Sequence, residues 1–373
     1  MSNSPGIATG RGARGAALLL TALAVLALPA PGVGAVGVSD QPESPRIPFT
    51  QRYHAVQHGG IVRTANAAIT CRTPGTAGAA SCAEVQRGGP GVNGDYEMFY
   101  TDEDDDPNTY NSSRARLALP AGAKVTYARL YWGGNLRVGE QKPPKDNGRV
   151  LIAEPGGRYK EVLADITVAH RDADGADAFQ ASADITPLVR ESVAGLWTVA
   201  QINVAMGRSE TGAWGGWTLA VAYEDPAEPL RHLSLWDGFQ TLNAEHPSYE
   251  ITLDGLKVPA GAEGLVGIAG YDGDRGVTGD RAGIRTNTGK TFDIKSADGA
   301  DNPADDLMNS TITGPGTAIV RQPAHMNTLG YDSDVFDIGA ALVSGATSLS
   351  FRFETENLGY SLGVLFVQAD TRR

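Results

Sequence analysis

An all-β sandwich of jelly-roll type is the fold this sequence predicts, on three observations. Apolar and polar residues alternate with period 2 in about a dozen short runs between Tyr96 and the C-terminus. Turn residues separate the runs, and glycine, at 47 of 373 residues, stands well above the usual share of ~7%. No long helical stretch is present that could cross over between parallel strands, as an α/β enzyme fold requires.

Strands are expected at residues 96–100, 114–119 and 124–132, with Leu119-Pro120-Ala121-Gly122-Ala123 as the turn between the last two. Runs 149–153 and 159–168 follow, joined across Pro155-Gly156-Gly157. One short helix is expected near 187–194, with Thr186 as its cap, Pro187 at its first position and Gly195 as its stop. Strands resume at 197–205, 217–224, 231–239, 249–253 and 265–271, and the last pair is 348–354 with 362–368. Pro42, Pro45 and Pro48 make residues 36–60 read as an extended linker ahead of a single β-sandwich domain over 61–370.

The first 35 residues have the parts of a secretory signal peptide. Arg11 and Arg14 form a basic start, and residues 16–28 are apolar apart from Thr21. That run of about 13 residues is too short to span a bilayer, which takes about 20. Val33-Gly34-Ala35 offers small side chains for cleavage before Val36, with cleavage after Gly37 as the alternative. No cysteine follows until Cys71, and no later stretch is apolar enough to span a membrane, so release from the cell is expected.

Removing residues 1–35 leaves 29 basic against 43 acidic residues. Such a balance disfavours nucleic acid and anionic lipid, whose recognition needs clustered Lys and Arg. Cys71 and Cys82, with ten residues between them, suit a local disulfide in an exported chain.

Three acidic loops are candidate metal sites. Asp102, Asp104 and Asp106 alternate, as do Asp272 with Asp274 and Asp332 with Asp334. Alternating carboxylates with carbonyls between them are what calcium takes from a flexible loop, although no EF-hand spacing is present. The alternative, solvated loops of an acidic protein, stays open. Trp214 and Trp217, beside Gly212, Gly215 and Gly216, are candidates for an exposed sugar-binding platform. Gly359-Tyr360-Ser361-Leu362-Gly363 matches a nucleophile-elbow pattern, but a strand follows the serine and every histidine precedes it. It reads as a turn.

The run Met98-Phe99-Tyr100-Thr101-Asp102 through Pro107 leads to Tyr110-Asn111-Ser112-Ser113, then Ala128-Arg129-Leu130-Tyr131-Trp132-Gly133-Gly134. Gly216-Trp217-Thr218-Leu219, Trp236-Asp237-Gly238-Phe239, Gly273-Asp274 through Asp280, and Leu329-Gly330-Tyr331-Asp332 through Asp337 follow in order. Together these resemble an uncharacterised exported module of actinobacteria, found at the N-terminus of large cell-surface proteins ahead of repeated immunoglobulin-like stalk domains. The resemblance covers residues 95–370 and implies a secreted or surface role, with no catalytic residues to carry over.

The expected function is therefore a secreted, non-enzymatic module binding an extracellular ligand (glycan, matrix component or protein), with calcium as its candidate cofactor. The alternative is a secreted hydrolase of glycosidase type, using a carboxylate pair in a cleft.

Overall fold

The structure, a computed structural model, describes residues 41–192, 194–297, 299–316 and 319–372. The expected signal peptide and its cleavage site lie outside the described residues. Four sheets account for nearly all the regular structure. The largest has ten strands, in the spatial order Glu43–Ser44, Val168–Ala173, Ala176–Asp184, Lys124–Asn135, Gly215–Glu224, Ile47–Ala67, Leu230–Leu242, Tyr360–Asp370, Gly264–Tyr271 and Tyr331–Asp337.

The strand Ile47–Ala67 belongs to both halves of this sheet. Its first part pairs with Leu230–Leu242 as far as His58, and its second part pairs with Gly215–Glu224 from Gly59 onward. The sheet folds back on itself there. Ile61, Tyr131 and Ala220 from one half meet Leu233, Leu235, Val364 and Phe366 from the other in one apolar cluster.

Each half also carries a smaller sheet on its outer face. The strands Arg321–Gln322, Ser112–Leu117, Gly195–Ala200, Arg149–Ala153 and Lys160–Leu163 form one. It packs Trp197, Val199 and Ile152 against Trp132, Trp217, Leu219 and Val221. The strands Ser248–Asp254, Ser348–Glu354, Arg281–Thr286 and Thr291–Asp293 form the other, and put Ile251, Ile284, Leu349 and Phe351 against Val266, Leu365 and Val367. Ile69–Pro74 and Tyr96–Tyr100 make a two-stranded ribbon at the side. The all-β sandwich expected from the alternation is present, doubled into two sandwiches that share a strand. Alternate residues of the shared sheet serve different interfaces, so strands such as Gly215–Glu224 and Tyr360–Asp370 are buried on both faces.

Several boundaries differ from expectation. Residues 47–60 are strand rather than linker. Pro48 escapes the usual conflict with a sheet because it lies where the pairing register with Leu230–Leu242 shifts. The helix runs Thr186–Glu191, and Thr186 lies within it rather than capping it. Its N–H goes to Asp184 Oδ1 at 2.8 Å and its hydroxyl accepts the Ala128 N–H at 2.8 Å. The expected strand 159–168 divides into Lys160–Leu163 and Val168–Ala173, which join different sheets. A second helix, Cys82–Gln86, is opened by a Ser81/Glu84 capping box. It places Cys82 in the expected disulfide with Cys71. No helix among the described residues is long and apolar enough to cross a membrane.

Buried polar contacts fasten the two halves together. Asp237 accepts from Arg52 Nε at 2.9 Å and from the Tyr131 hydroxyl at 3.0 Å, with Arg129 Nε at 3.5 Å. Gln180 donates to the Gly238 carbonyl at 2.9 Å and accepts the Tyr271 hydroxyl at 3.0 Å. Thr218 meets the Tyr331 and Ser333 hydroxyls at 2.7 and 2.9 Å.

The fold-back depends on Gly59, whose φ is +142°. A Cβ at this position would stand 1.9 Å from the Tyr223 carbonyl oxygen. Gly59→Ala should therefore cost more than ~2 kcal/mol, from backbone strain plus a clash that only movement of the paired strand relieves. Urea unfolding of the variant against the parent measures this, and an unchanged midpoint would show that the bend does not need glycine.

Candidate functional site

Where the two halves of the long sheet part at one end, the structure opens a cleft with a volume of about 800 Å³. The turn at Asp174 and Gly175 and the segment Ser209–Thr211 line one side, and Thr241, Asn243, Ala244 and Glu245 with Asn357–Ser361 line the other. Asp272, Asp274 and Asn93 also line it, and Leu358 stands at its lip, 86% exposed. Asn243 Nδ2 donates to Asp174 Oδ2 at 3.1 Å and so joins the two walls. Asp174, Glu210, Glu245, Asp272 and Asp274 face Arg171 as the single basic lining residue, and Arg171 is already paired with Asp174 at 2.9 Å.

The expected acidic residues separate into two kinds. Asp102, Asp104 and Asp106 lie between the strands Tyr96–Tyr100 and Ser112–Leu117, and their carboxylates are met by donors of their own segment and by Tyr159. Ser112 Oγ donates to Asp102 Oδ1 at 2.9 Å. Asp104 Oδ1 accepts the Asp106 N–H at 2.7 Å and the Thr109 hydroxyl at 2.9 Å, and Asp104 Oδ2 accepts from Tyr159. Asp106 Oδ1 accepts the Asn108 N–H at 3.0 Å. Burial works to raise the Asp104 pKa, but the donors led by Tyr159 outweigh it and hold the carboxyl below its ordinary value.

The other two pairs come together, although about sixty residues separate them in sequence. Asp272 and Asp274 follow the strand Gly264–Tyr271, while Asp332 and Asp334 lie on its neighbour Tyr331–Asp337. Asn93 holds the first pair, donating from Nδ2 to Asp272 at 3.0 Å and from its backbone to Asp274 at 2.9 Å. The amides of Asn309 and Thr311 donate to Asp332 Oδ1 at 2.9 and 3.1 Å. Thr313 gives Asp334 Oδ1 both its N–H and its hydroxyl at 2.7 Å. A Cβ on Gly273 would lie 2.8 Å from Asp332 Oδ2, so the glycine between the first two acids allows the approach.

Two further acids belong to this group and were not singled out from sequence. Asp280 and Asp306 are neighbours across a parallel bridge, and the Gly276 N–H donates to Asp306 Oδ2 at 2.9 Å. The only sequence signal was the Gly-Asp rhythm of residues 273–280, which by itself indicates turns. Burial, reinforced by neighbouring carboxylates, lifts this group: Asp272 and Asp332 well above the ordinary range, Asp274 to about 7 and Asp306 to about 6. Asp280 and Asp334 are raised for the same first reason, burial.

The expected tryptophan platform is overturned. Trp214 and Trp217 are 1% and 0% exposed. Trp217 donates to Ser113 Oγ at 2.9 Å inside the outer sandwich, and Trp214 packs on Tyr271 with ring centroids 5.6 Å apart. The adjacent glycines serve close packing rather than an exposed turn: a Cβ on Gly216 would meet the Tyr331 ring at 2.7 Å. Ser361, in the strand Tyr360–Asp370, is 2.9 Å from the Thr241 hydroxyl.

Fold and site thus define an all-β double sandwich with an acid-lined cleft above a group of buried carboxyls. No protein-family model matches the chain, and no curated protein matches it. Among solved structures, one similar chain comes from an atomic structure of Sulfolobus Turreted Icosahedral Virus. It is 9% identical, covers 84% of this chain and 91% of its own, and has a TM-score of 0.20, a value that carries no argument.

The buried acids set a pH dependence. Asp274 and Asp306, with ordinary values of 3.8, ionise at about 7 and about 6 in the folded chain. As pH rises the unfolded chain loses these protons first. Their contribution to stability is therefore whole below about pH 4 and falls through the window up to about pH 7. In the presence of chelator, urea unfolding should show a loss on the order of a few kcal/mol between pH 4.5 and 7.5. A flat or rising profile would contradict this electrostatic account.

Proposed function

We propose that this protein is a secreted, non-enzymatic β module that binds a glycan in the cleft between its two sandwiches. The observation that carries the reading is the cleft's lining. Carboxylates and the carbonyl oxygens of side-chain amides accept hydrogen bonds from sugar hydroxyls, while excess negative charge disfavours anionic ligands. Asn93 and Asn243 tie cleft residues to one another, so the lining is formed before any ligand arrives. Secretion is supported by the signal-like N-terminal segment, by the resemblance to exported modules and by the Cys71–Cys82 disulfide, a bond favoured by oxidising compartments.

One observation favours the second reading, a glycosidase. Asp274 lines the cleft and is pushed up to about 7, where a general acid works. A glycan array followed by a polysaccharide-hydrolysis screen on the secreted chain separates the two.

Binding without product is the expected outcome. Ala244→Trp, at an exposed position in the wall, should weaken the glycan at least about tenfold (~1.4 kcal/mol) with little change in Tm. Undiminished binding in that variant would move the site elsewhere. Release of sugar from any polymer, abolished by Asp274→Asn, would replace the binding reading with the hydrolase.

A further inference from the structure

Beneath the cleft lies a set of oxygen atoms without hydrogen-bond partners among the described residues. Asp280 Oδ1, Asp306 Oδ1, Asp332 Oδ2 and the Tyr360 hydroxyl are all buried, and none has a hydrogen-bond partner among the described residues. All four residues are at most 6% exposed. Their other contacts fix where they sit. Asp280 and Asp306 are neighbours across the parallel bridge, with Leu307 N–H on the Asp280 carbonyl at 3.1 Å and Gly279 N–H on the Asp305 carbonyl at 2.6 Å. The charge on Asp306 acts on Asp332, and the charges on Asp280 and Asp332 both act on Tyr360.

Other buried side-chain atoms also lack partners among the described residues, Arg63 Nε, Trp197 Nε1 and Glu154 Oε2 among them, but the buried carboxylates Asp237 and Asp334 are met by donors. Asp237 has an arginine and a tyrosine, and Asp334 has Thr313. Here the orphans are oxygens on three acids, and a hydroxyl can supply only one proton. An unmet acceptor in the interior costs ~1–3 kcal/mol, and more when charged. The partner missing from such a set is positive, and hard oxygen donors suit a hard cation.

We propose that Asp280, Asp306 and Asp332 hold a divalent cation of the calcium class, with Tyr360 and water completing its shell. In this structure no three acidic, cysteine or histidine side chains among the described residues are grouped so that they could hold a metal ion by themselves. Water therefore supplies several ligands, which calcium and magnesium both accept. This places the cation on two acids outside the alternating pairs of the sequence, and away from the loop at Asp102, Asp104 and Asp106. The cation would tie the segment carrying Asp274 and Asp280 to the segment carrying Asp306 and to the edge strand carrying Asp332, so its role is to fix the floor of the cleft. The inference does not depend on what the cleft binds.

The test is calorimetry and thermal melting of the chelator-treated full chain at pH 7.5, with calcium or magnesium chloride added. Saturable heat and a Tm rise of several degrees are expected from at least one of the two salts. Asp306→Asn should abolish both, while without metal it melts no lower than the parent, since it removes one of several crowded charges. Asp104→Asn should keep the full metal response. If Asp306→Asn fails to fold, Asp280→Asn carries the same expectation. Absence of heat and shift in the parent with both salts overturns the proposal, as does a full metal response retained in both Asp306→Asn and Asp280→Asn. Neither result touches the Ala244→Trp experiment on the glycan.

Discussion

The architecture rests on one strand that belongs to two sandwiches. Ile47–Ala67 pairs with Leu230–Leu242 along its first part and with Gly215–Glu224 along its second, so these two partners form a continuous track opposite it. The turn between the partners follows the same bend, with Asp225 N–H on the His58 carbonyl at 3.0 Å. A flat ten-stranded sheet would leave one face to cover, whereas bending it covers each half with the other. The price is a backbone conformation at Gly59 that side chains avoid.

Folding the sheet on itself forces polar atoms into the new interface, and the structure meets them in two ways. Midway along the interface, where Asp237, Arg52, Arg129 and Tyr131 converge, every charge finds an opposite. At the far end the sheet halves diverge, and acids from Asp272–Asp280, from Asp306 and from Asp332 accumulate instead. The cleft and the carboxyl group below it thus arise from the same divergence. The cleft lies where the packing is least able to close.

Much of the fold was legible because its causes are local. Alternation placed strands such as Tyr96–Tyr100, Arg149–Ala153 and Ser348–Glu354, and the short spacing of Cys71 and Cys82 anticipated the disulfide. Strands buried on both faces were harder to see. Tyr331–Asp337 carries Asp332, Ser333 and Asp334 in succession, all buried, so no period-2 contrast marks it. Ala176–Asp184 is obscured in the same way by its small residues. Proline density hid the first part of Ile47–Ala67, and glycine density beside Trp214 and Trp217 suggested exposure where the structure has tight packing.

By itself, the sequence determined the all-β class, the acidic balance, the export-like N-terminal segment, the local disulfide and which loops are rich in carboxylates. These depend on composition and on residues within a few positions of one another. Only the tertiary structure decided that one strand serves two sandwiches and that the carboxylates of the Asp102 loop are met by donors of their own segment and by Tyr159. It also decided that Asp280 and Asp306 join Asp272, Asp274 and Asp332. Those outcomes depend on which segments become neighbours when both faces of a sheet are buried, and alternation along a single strand does not encode its neighbours.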